Sequence, residues 1–187
     1  RSAILEIGRA SPNSVQQTEQ SLISVGQGRT TGRSVYTLDG ISPVKVSTGY
    51  VEKYLNAYYP STDFLSDVRS MTIKVAGHTM YVLTLHSQNI TLVFDMDQKV
   101  WYNWTSADLN YFQPSFHANG YTLNDDGGTI SHIDQTHYSD DGVAFPLVCF
   151  TEIADSGSTK RKFYRRLTVV GDVTTGTATL NHTDDDY

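Results

Sequence analysis

Three side chains in the second half of the chain, His132, Asp134 and His137, are of types that bind transition-metal ions. On a β-strand His132 and Asp134 would share one face, whereas the odd spacing of His137 would direct it to the other face. The pattern also lacks a rigid helix to set the ligand spacing and recognisable partners to orient the ligands. We therefore predict solvated strand and turn residues here and no metal site.

Acidic turns are the second group that could bind a cation, here Ca²⁺ through carboxylate oxygens. They are Asp95–Asp97, Asn124–Asp126 and Asp184–Asp186. None fits the twelve-residue loop of an EF-hand, and Asp, Asn and Gly are the residues from which ordinary turns are built. We predict turns without bound ions.

The sequence contains no complete motif of a glycosidase or a serine hydrolase. The segments Asn124–Thr129 and Asn181–Asp186 approach the aspartate box of sialidase-like propellers, Ser-x-Asp-x-Gly-x-Thr-Trp, but lack its tryptophan. A sialidase would also need an arginine triad and a tyrosine nucleophile with a carboxylate, and the sequence does not place such a set. The Gly-x-Ser-x-Gly motif of serine hydrolases is absent. We predict that the protein is not an enzyme and uses no cofactor.

The glycine-rich stretch Gly26–Arg33 carries two arginines and could cradle a phosphate group. Its spacing is not that of a P-loop, and the Gly-Lys-Ser/Thr ending is missing. We predict the flexible tip of a long hairpin instead.

The basic cluster comprises five of the 14 basic residues: Lys160, Arg161, Lys162, Arg165 and Arg166. In a chain with a net charge of −6, such a concentration could contact DNA phosphates or an acidic partner. A charged edge strand that blocks sheet-to-sheet aggregation is the alternative explanation. Because strand alternation would divide the cluster between two faces, a contact with DNA stays one of two interpretations.

The elements that would position these groups are mostly strands, and the clearest are in Val68–Ser106. Apolar and polar residues alternate in Met71–Ala76, as on a half-buried strand. After turns at Gly77-His78, Ser87–Asn89 and Asp95–Lys99, further strands are predicted at Thr79–His86, Ile90–Phe94 and Val100–Thr105. Four strands joined by tight turns within about 40 residues form an antiparallel meander the size of a propeller blade.

Similar units recur around Ser21–Val46 and Phe116–Ile133, with hairpin turns at Asp39-Gly40 and Asn119-Gly120. The spacing of roughly 40–50 residues is that of propeller blades. We assign propeller-like blades to residues 1–153, ending in a long strand at Phe145–Ile153. A terminal β segment is assigned to 154–187. Both ends are abrupt, which predicts a partial propeller and a piece of a longer protein.

One helix is predicted, at Thr48–Tyr59. Thr48 can cap it, Pro60 ends it, and the apolar stripe consists of Val51, Tyr54, Leu55 and Tyr58. Aromatic residues off this stripe or in a loop are candidate interface residues: Tyr50, Tyr59, Tyr111 and Phe112. The stretches predicted to contact neighbours are Arg9–Gln20, Gly26–Arg33 and Ala107–Pro114.

The ordered series of segments resembles the phage stabilisation protein family. A hydrophobic strand and a Gly-His turn precede "MYVLTL", "TLVFDMD" and "VWYNWTS". Upstream lies "SVYTLDGISPVKVSTGYVEKYL", and downstream lie "NGYTLNDDGGTISHIDQTHYSDDG" and "RKFYRRLTVVGDVTTGTATLNHTDDD". The order of these segments matches the family across roughly residues 14–187.

This resemblance implies an all-β, propeller-like structural protein of a phage tail, made in the host cytoplasm. Family members are tail-hub components that follow the portal and its adaptor, close the channel and retain the packaged DNA. The implied partners are copies of the same chain in a ring, the portal and adaptor, and other tail proteins such as the needle, spikes or fibres. Contact with packaged DNA is possible, and no membrane or small-molecule substrate is implied.

Composition is compatible with this class of protein. The chain has 187 residues, enough for one well-buried domain, and 11% aromatic residues. The net charge of −6 argues against general nucleic-acid binding, and the single cysteine, Cys149, excludes an intrachain disulfide.

A carbohydrate-binding or sialidase-like propeller is the alternative function. It would need exposed tryptophans over a concave site. Trp101 and Trp104 lie on opposite faces of one predicted strand, so that at most one of them could serve.

Overall fold

A computed structural model describes residues 7–19, 21–40, 42–58, 64–124, 128–134, 136–137, 139–145 and 147–148, with Arg166, Thr168 and Thr179. The chain divides into two compact units, Arg1–Leu147 and Val148–Tyr187. The elements below all belong to the first unit. The domain boundary after residue 153 stays a prediction, and Cys149 and the two predicted C-terminal strands lie outside the described residues.

The described part of the first unit is built mainly from antiparallel sheets, as predicted. Its strands are β1 (Ile7–Arg9), β2 (Gln16–Gln17), β3 (Leu22–Gly28), β4 (Arg33–Asp39), β5 (Ser42–Lys45), β6 (Val68–Val75), β7 (His78–Leu85), β8 (Ile90–Asp95), β9 (Val100–Trp104), β10 (Pro114–Ala118), β11 (Tyr121–Asn124) and β12 (Ile130–His132). Its helices are α1 (Gly49–Asn56) and the single turn α2 (Phe64–Asp67), with 3-10 turns at Pro12–Ser14 and His86–Gln88. No helix among these is long and apolar enough to cross a membrane.

The first sheet has the order β1-β3-β4-β5, and the short strand β2 pairs with the same edge of β3 as β1 does. The predicted hairpin is present, since β3 pairs with β4, but its tip is shorter than Gly26–Arg33, because Gly26 and Gly28 lie inside β3 and Arg33 begins β4. Glycine is needed at position 26 for packing: a Cβ atom there would lie 2.6 Å from Cγ2 of Ile7 and 2.9 Å from the Tyr36 ring.

The segment Arg9–Gln20 is more ordered than the predicted loop, since it contains a 3-10 turn and the strand β2, and its contact with a neighbour stays a prediction. Ser11 and Ser14 in its 3-10 turn are fully buried. Ser14 Oγ donates to the Ser11 carbonyl at 2.8 Å and accepts from the Val25 N–H at 3.2 Å. The Tyr81 hydroxyl donates to the Ser14 carbonyl at 2.7 Å, which ties this segment to the second sheet.

The second sheet is the predicted four-stranded meander, in the order β6-β7-β8-β9. Its strand bounds agree with the prediction to within a few residues. The first turn falls at Ala76-Gly77, one position earlier than predicted, with φ of +52° and +84°. Positive φ at both central residues matches the right-handed twist of the flanking strands.

The third sheet, β10-β11-β12, confirms the predicted hairpin at Asn119-Gly120. Its apolar side chains point outward: Phe116 pairs with Leu123, which pairs with Ile130, and these residues are 59%, 39% and 69% exposed. On the other face Thr122 is 2% exposed.

Helix α1 is shorter than predicted at both ends. Val51 and Leu55 are fully buried as expected, but the chain leaves the helix at Ala57, and Tyr58 reaches the core from beyond it. Thr48 occupies the N-cap position without making a side-chain capping hydrogen bond.

Asn56, the last residue of the helix, is bonded to the first sheet through its side chain. Its Oδ1 accepts from the Arg33 N–H at 2.7 Å, and its Nδ2 donates to the Arg33 carbonyl at 3.2 Å. The side chain thus bonds to both backbone groups of the first residue of β4 and attaches the end of the helix to the sheet.

The core has two parts, one on each face of the second sheet. The larger cluster joins α1, the first sheet and one face of the second sheet, and includes Ile23, Val35, Leu55, Phe64, Tyr81, Leu83 and Phe94. The smaller cluster lies on the opposite face and includes Met71, Ile73, Val82 and Val93, with Phe112 and Ile133 against it. Trp101 packs on the larger cluster and Trp104 on the smaller, so the predicted division of the tryptophans between faces is confirmed.

The predicted buried strand at Phe145–Ile153 is not found where the segment is described. Phe145, Leu147 and Val148 lie outside any strand and are 48%, 93% and 66% exposed. A strand requires a pairing partner, and no described strand pairs with these three residues.

Candidate functional site

The predicted interface residue Tyr50 lies in the first turn of α1 and is 48% exposed. Its hydroxyl accepts a hydrogen bond from Asn103 Nδ2 at 2.7 Å, and its ring packs edge-on against Tyr54. The ring is therefore held in one position while half of its surface faces solvent. Tyr59 lies outside the described residues.

Tyr111 and Phe112 are half-buried, and both contact their own chain. The ring of Tyr111 packs edge-on against His86, and that of Phe112 packs edge-on against Trp104. The Phe112 N–H donates to Thr91 Oγ1 at 3.0 Å. The most exposed apolar residue of this loop is Leu109, at 61% and with a φ of +65°, which sequence reasoning missed.

Only one residue of the basic cluster is described. Arg166 is exposed, and the other four lie outside the described residues. A contact between this cluster and DNA stays a prediction.

The candidate metal ligands of the sequence do not converge. Asp134 accepts from the N–H and hydroxyl of Thr136 at 2.8 and 2.9 Å, and His137 Nδ1 lies 3.5 Å from its Oδ2. These bonds lower the pKa of Asp134. His132 instead packs against the Tyr121 ring, so that the three side chains are not gathered around one point.

A different triad does come together, formed by His78, Asp95 and Asp97, whose potential ligand atoms lie within 4.8 Å of one another. Asp95 is 2% exposed. Its Oδ1 accepts from the N–H groups of Asp97 and Gln98 at 2.8 and 3.0 Å, and its Oδ2 lies 2.8 Å from His78 Nδ1. The imidazole must be the donor, because a carboxylate only accepts.

This triad serves the turn between β8 and β9. Burial acts to raise the pKa of Asp95, but the Gln98 and Asp97 N–H groups and the His78 ring outweigh it, and the pKa lies below its usual value. Asp97 Oδ2 accepts from the Thr79 N–H at 2.8 Å. The carboxylates therefore hold the end of the sheet together through backbone donors.

Two shallow clefts are open to solvent. The arginine cleft, about 410 Å³, is lined by Gly8, Arg9, Gln27, Gly28 and Arg29. The second, the aromatic groove, is about 310 Å³ and is lined by Val75, Ala76, His78, Met80, Asp95, Gln98, Tyr102 and Trp104.

The arginine cleft differs from the phosphate-binding loop considered from the sequence, which would have used Arg29 and Arg33. Arg33 is 8% exposed; its guanidinium lies 4.5 Å from the centre of the Phe64 ring, and its Nη1 donates to the Leu55 carbonyl. Arg33 is therefore not part of the cleft, and the second arginine beside Arg29 is Arg9 of the neighbouring strand β1. No local pattern could reveal this, because Arg9 and Arg29 are brought together by the pairing of β1 with β3.

A family model described as bacteriophage P22 Gp10, beta-propeller, matches residues 1–138. The match covers most of the chain and all three sheets. No curated protein matches the chain. The antiparallel sheets, with the first sheet packed on one face of a four-stranded meander, agree with the propeller architecture of that family. The chain belongs to the phage stabilisation family, and it is a phage structural protein.

Proposed function

We propose that the protein is a component of the tail hub of a short-tailed phage. It follows the portal and its adaptor, closes the channel and retains the packaged genome. The observation that carries this proposal is the family match over residues 1–138. The resemblance of the ordered segments to tail-hub proteins supports the proposed position in the tail.

The packing of the described sheets supports a load-carrying structural role. The side chains of β7 and β8 are buried on both faces, with Tyr81 and Leu83 on one side and Val82 and Val93 on the other. Closely packed interiors have low compressibility and transmit strain. Such a body suits a part that must hold its shape against the pressure of packaged DNA.

The role we propose is not enzymatic. The most buried carboxylate of the candidate groups, Asp95, is bonded to two backbone N–H groups and to His78. These bonds stabilise the turn between β8 and β9. His78 and Asp95 also line the aromatic groove, but the Asp95 carboxylate there is occupied by the His78 ring and by the backbone N–H groups of its own turn.

Cyclic assembly of identical copies around the tail axis is part of the proposal. Tyr50 and Leu109 support it, because both are large, exposed and held by well-defined local structure. Tyrosine is enriched in protein interfaces, and an exposed leucine adds apolar surface that an interface would bury.

A phage lineage unable to produce this protein tests the proposal directly. DNA-filled heads should form, and they should then lose their DNA, measured as the fraction of particles that protect DNA from nuclease. Adding the purified protein to the defective particles should restore protection. Particles that retain their DNA without the protein would overturn the proposed role in genome retention.

The aromatic groove supports a second candidate function, carbohydrate binding. Tyr102 and Trp104 line it beside Gln98 and His78, a combination of aromatic surface and polar groups that suits a sugar ring. Trp101 is unavailable for such a site, because its Nε1 donates to the Val46 carbonyl at 2.8 Å and its ring packs on Phe94. A glycan array tests this: binding lost on Trp104→Ala but kept on Tyr50→Ala would favour it, and absence of binding would exclude it.

A further inference from the structure

We propose that the arginine cleft, formed by Gly8, Arg9, Gln27, Gly28 and Arg29, binds the phosphodiester backbone of duplex DNA. The inference rests on the proposed function, in which the protein meets the packaged genome. It adds a site that is separate in sequence from the basic cluster at residues 160–166.

The strand register brings the two arginines into one cleft. In the pairing of β1 with β3, Arg9 lies opposite Gly26, and Arg29 follows directly after Gly28 at the end of β3. The space directly above Gly26 is filled by Ile7 and the Tyr36 ring, and the cleft lies beside it, where Gly8 pairs with Gln27. Both arginines are exposed and line the same cleft.

The charge of the cleft is unneutralised within the described structure. No acidic residue lines it, and neither arginine forms an ion pair with a described residue. Lys45 and Lys74, in contrast, are paired with Glu52 and Glu19. Two guanidinium groups that have no ion pair among the described residues form a local site for an oxyanion in a chain of net charge −6.

The shape of the cleft favours a continuous polyanion over a small ligand. The cleft is shallow and open, whereas small-molecule sites are concave and bury most of their ligand. Its lining adds the side-chain amide of Gln27 as a donor but has no aromatic ring on which a base could stack. Contacts of this type position a phosphate backbone without reading the sequence.

The test is the salt dependence of DNA binding, measured by fluorescence anisotropy with a labelled 20-base-pair duplex of random sequence. Each phosphate contact contributes about 0.9 to the slope of log K against log salt concentration. The double variant Arg9→Gln/Arg29→Gln should therefore lower the slope by about 1.8. Between 50 and 200 mM salt, the wild-type protein should lose about 12-fold more affinity than the variant does.

A charge-matched control is Lys53→Gln/Lys99→Gln, which removes two exposed lysines that do not line the cleft. It should change the slope much less than the arginine variant does. Equal slopes for the wild-type protein and the arginine variant would overturn the proposal, as would wild-type protein that does not bind the duplex at 50 mM salt. So would a variant whose self-association falls while its DNA binding is unchanged, since the cleft would then bind an acidic segment of another copy.

Failure of this inference can be separated from failure of the proposed function. If particles lacking the protein lose their DNA but the arginine variant keeps the wild-type slope, only the phosphate site is wrong. If those particles keep their DNA, the role in genome retention is wrong whatever the slope.

Discussion

Single buried polar groups connect parts of this chain that are far apart in sequence. Tyr81 of β7 donates to the carbonyl of Ser14, and Asp95 at the end of β8 accepts from two N–H groups of the next turn and from His78. The Tyr81 hydroxyl gives the buried Ser14 carbonyl a hydrogen-bond partner, and the Asp95 carboxylate gives partners to the N–H groups at the end of β8. Their contributions can be tested one residue at a time.

Replacing Tyr81 by phenylalanine should destabilise the protein by about 1–3 kcal/mol, because the buried Ser14 carbonyl loses its donor while the packing of the ring is kept. Urea unfolding measures the change. Tyr102→Phe is the matched control: this hydroxyl is exposed and bonds only to Gln98, so its loss should cost less than about 0.5 kcal/mol. Equal effects of the two variants would contradict the role given to Tyr81.

The pH dependence of stability should reveal Asp95. Its pKa in the folded protein lies below the value of about 3.9 expected in the unfolded chain. Folding therefore favours the ionised form, and this contribution is complete above about pH 4 and is lost as the pH falls through the lower folded-state pKa. In Asp95→Asn, the free energy of unfolding should be lower at pH 7 and should fall less steeply below pH 4. Parallel curves for variant and wild type would contradict this.

Between elements, helix α1 is fastened to the first sheet by a small number of polar side chains. Asn56 bonds to both backbone groups of Arg33, while Glu52 Oε1 accepts from the hydroxyls of Ser47 and Ser34 at 2.8 and 3.1 Å. Gly32 lies beneath Asn56, and a Cβ atom at position 32 would come within 2.8 Å of the Asn56 Cγ. The docking of α1 on the sheet thus depends on a glycine in the turn between β3 and β4.

A pair of alanine substitutions tests this docking. Gly32→Ala should destabilise the protein by about 1–3 kcal/mol, because Asn56 must move and lose its bonds to Arg33. Gly49→Ala, at the start of α1 with open space around it, should be neutral or stabilising by up to about 1 kcal/mol. Thermal unfolding of both variants measures the difference, and a stable Gly32→Ala protein would show that the docking tolerates a shift.

At this scale the sequence is most informative where the signals are local. The second sheet follows from period-two alternation and short turns, which need no knowledge of the rest of the chain. The glycines of β3 resemble a loop signal in sequence, but position 26 requires glycine for its contact with Tyr36 and Ile7, which is a tertiary reason. Arg33 resembles an exposed, anion-binding residue in sequence, but it is buried against Phe64, which is again a tertiary contact.

For the whole molecule, the sequence predicts an all-β, propeller-like phage protein, and this is confirmed by the three sheets and the family match. The surface sites are harder to predict from the sequence, because each is formed by strands whose pairing cannot be read from the local sequence pattern. The arginine cleft needs β1 beside β3, and the outward-facing row of Phe116, Leu123 and Ile130 needs three strands in register.

Assembly can be tested without disturbing the fold. Deleting Arg9–Gln20 or Gly26–Arg33 would remove buried residues and strands, so point variants are the better probes. Tyr50→Ser and Leu109→Ser should each weaken ring formation while changing the free energy of unfolding by less than about 1 kcal/mol, since both side chains are largely exposed. Sedimentation velocity measures the assembly. Unchanged assembly in both variants would place the ring contacts elsewhere.

The most direct test of the tail-hub account is the mass of the purified full-length protein in solution, measured by light scattering alone and with a portal–adaptor complex. The account predicts a ring of identical copies, either in the free protein or on addition of the complex. A protein that remains monomeric and does not bind the complex would contradict it.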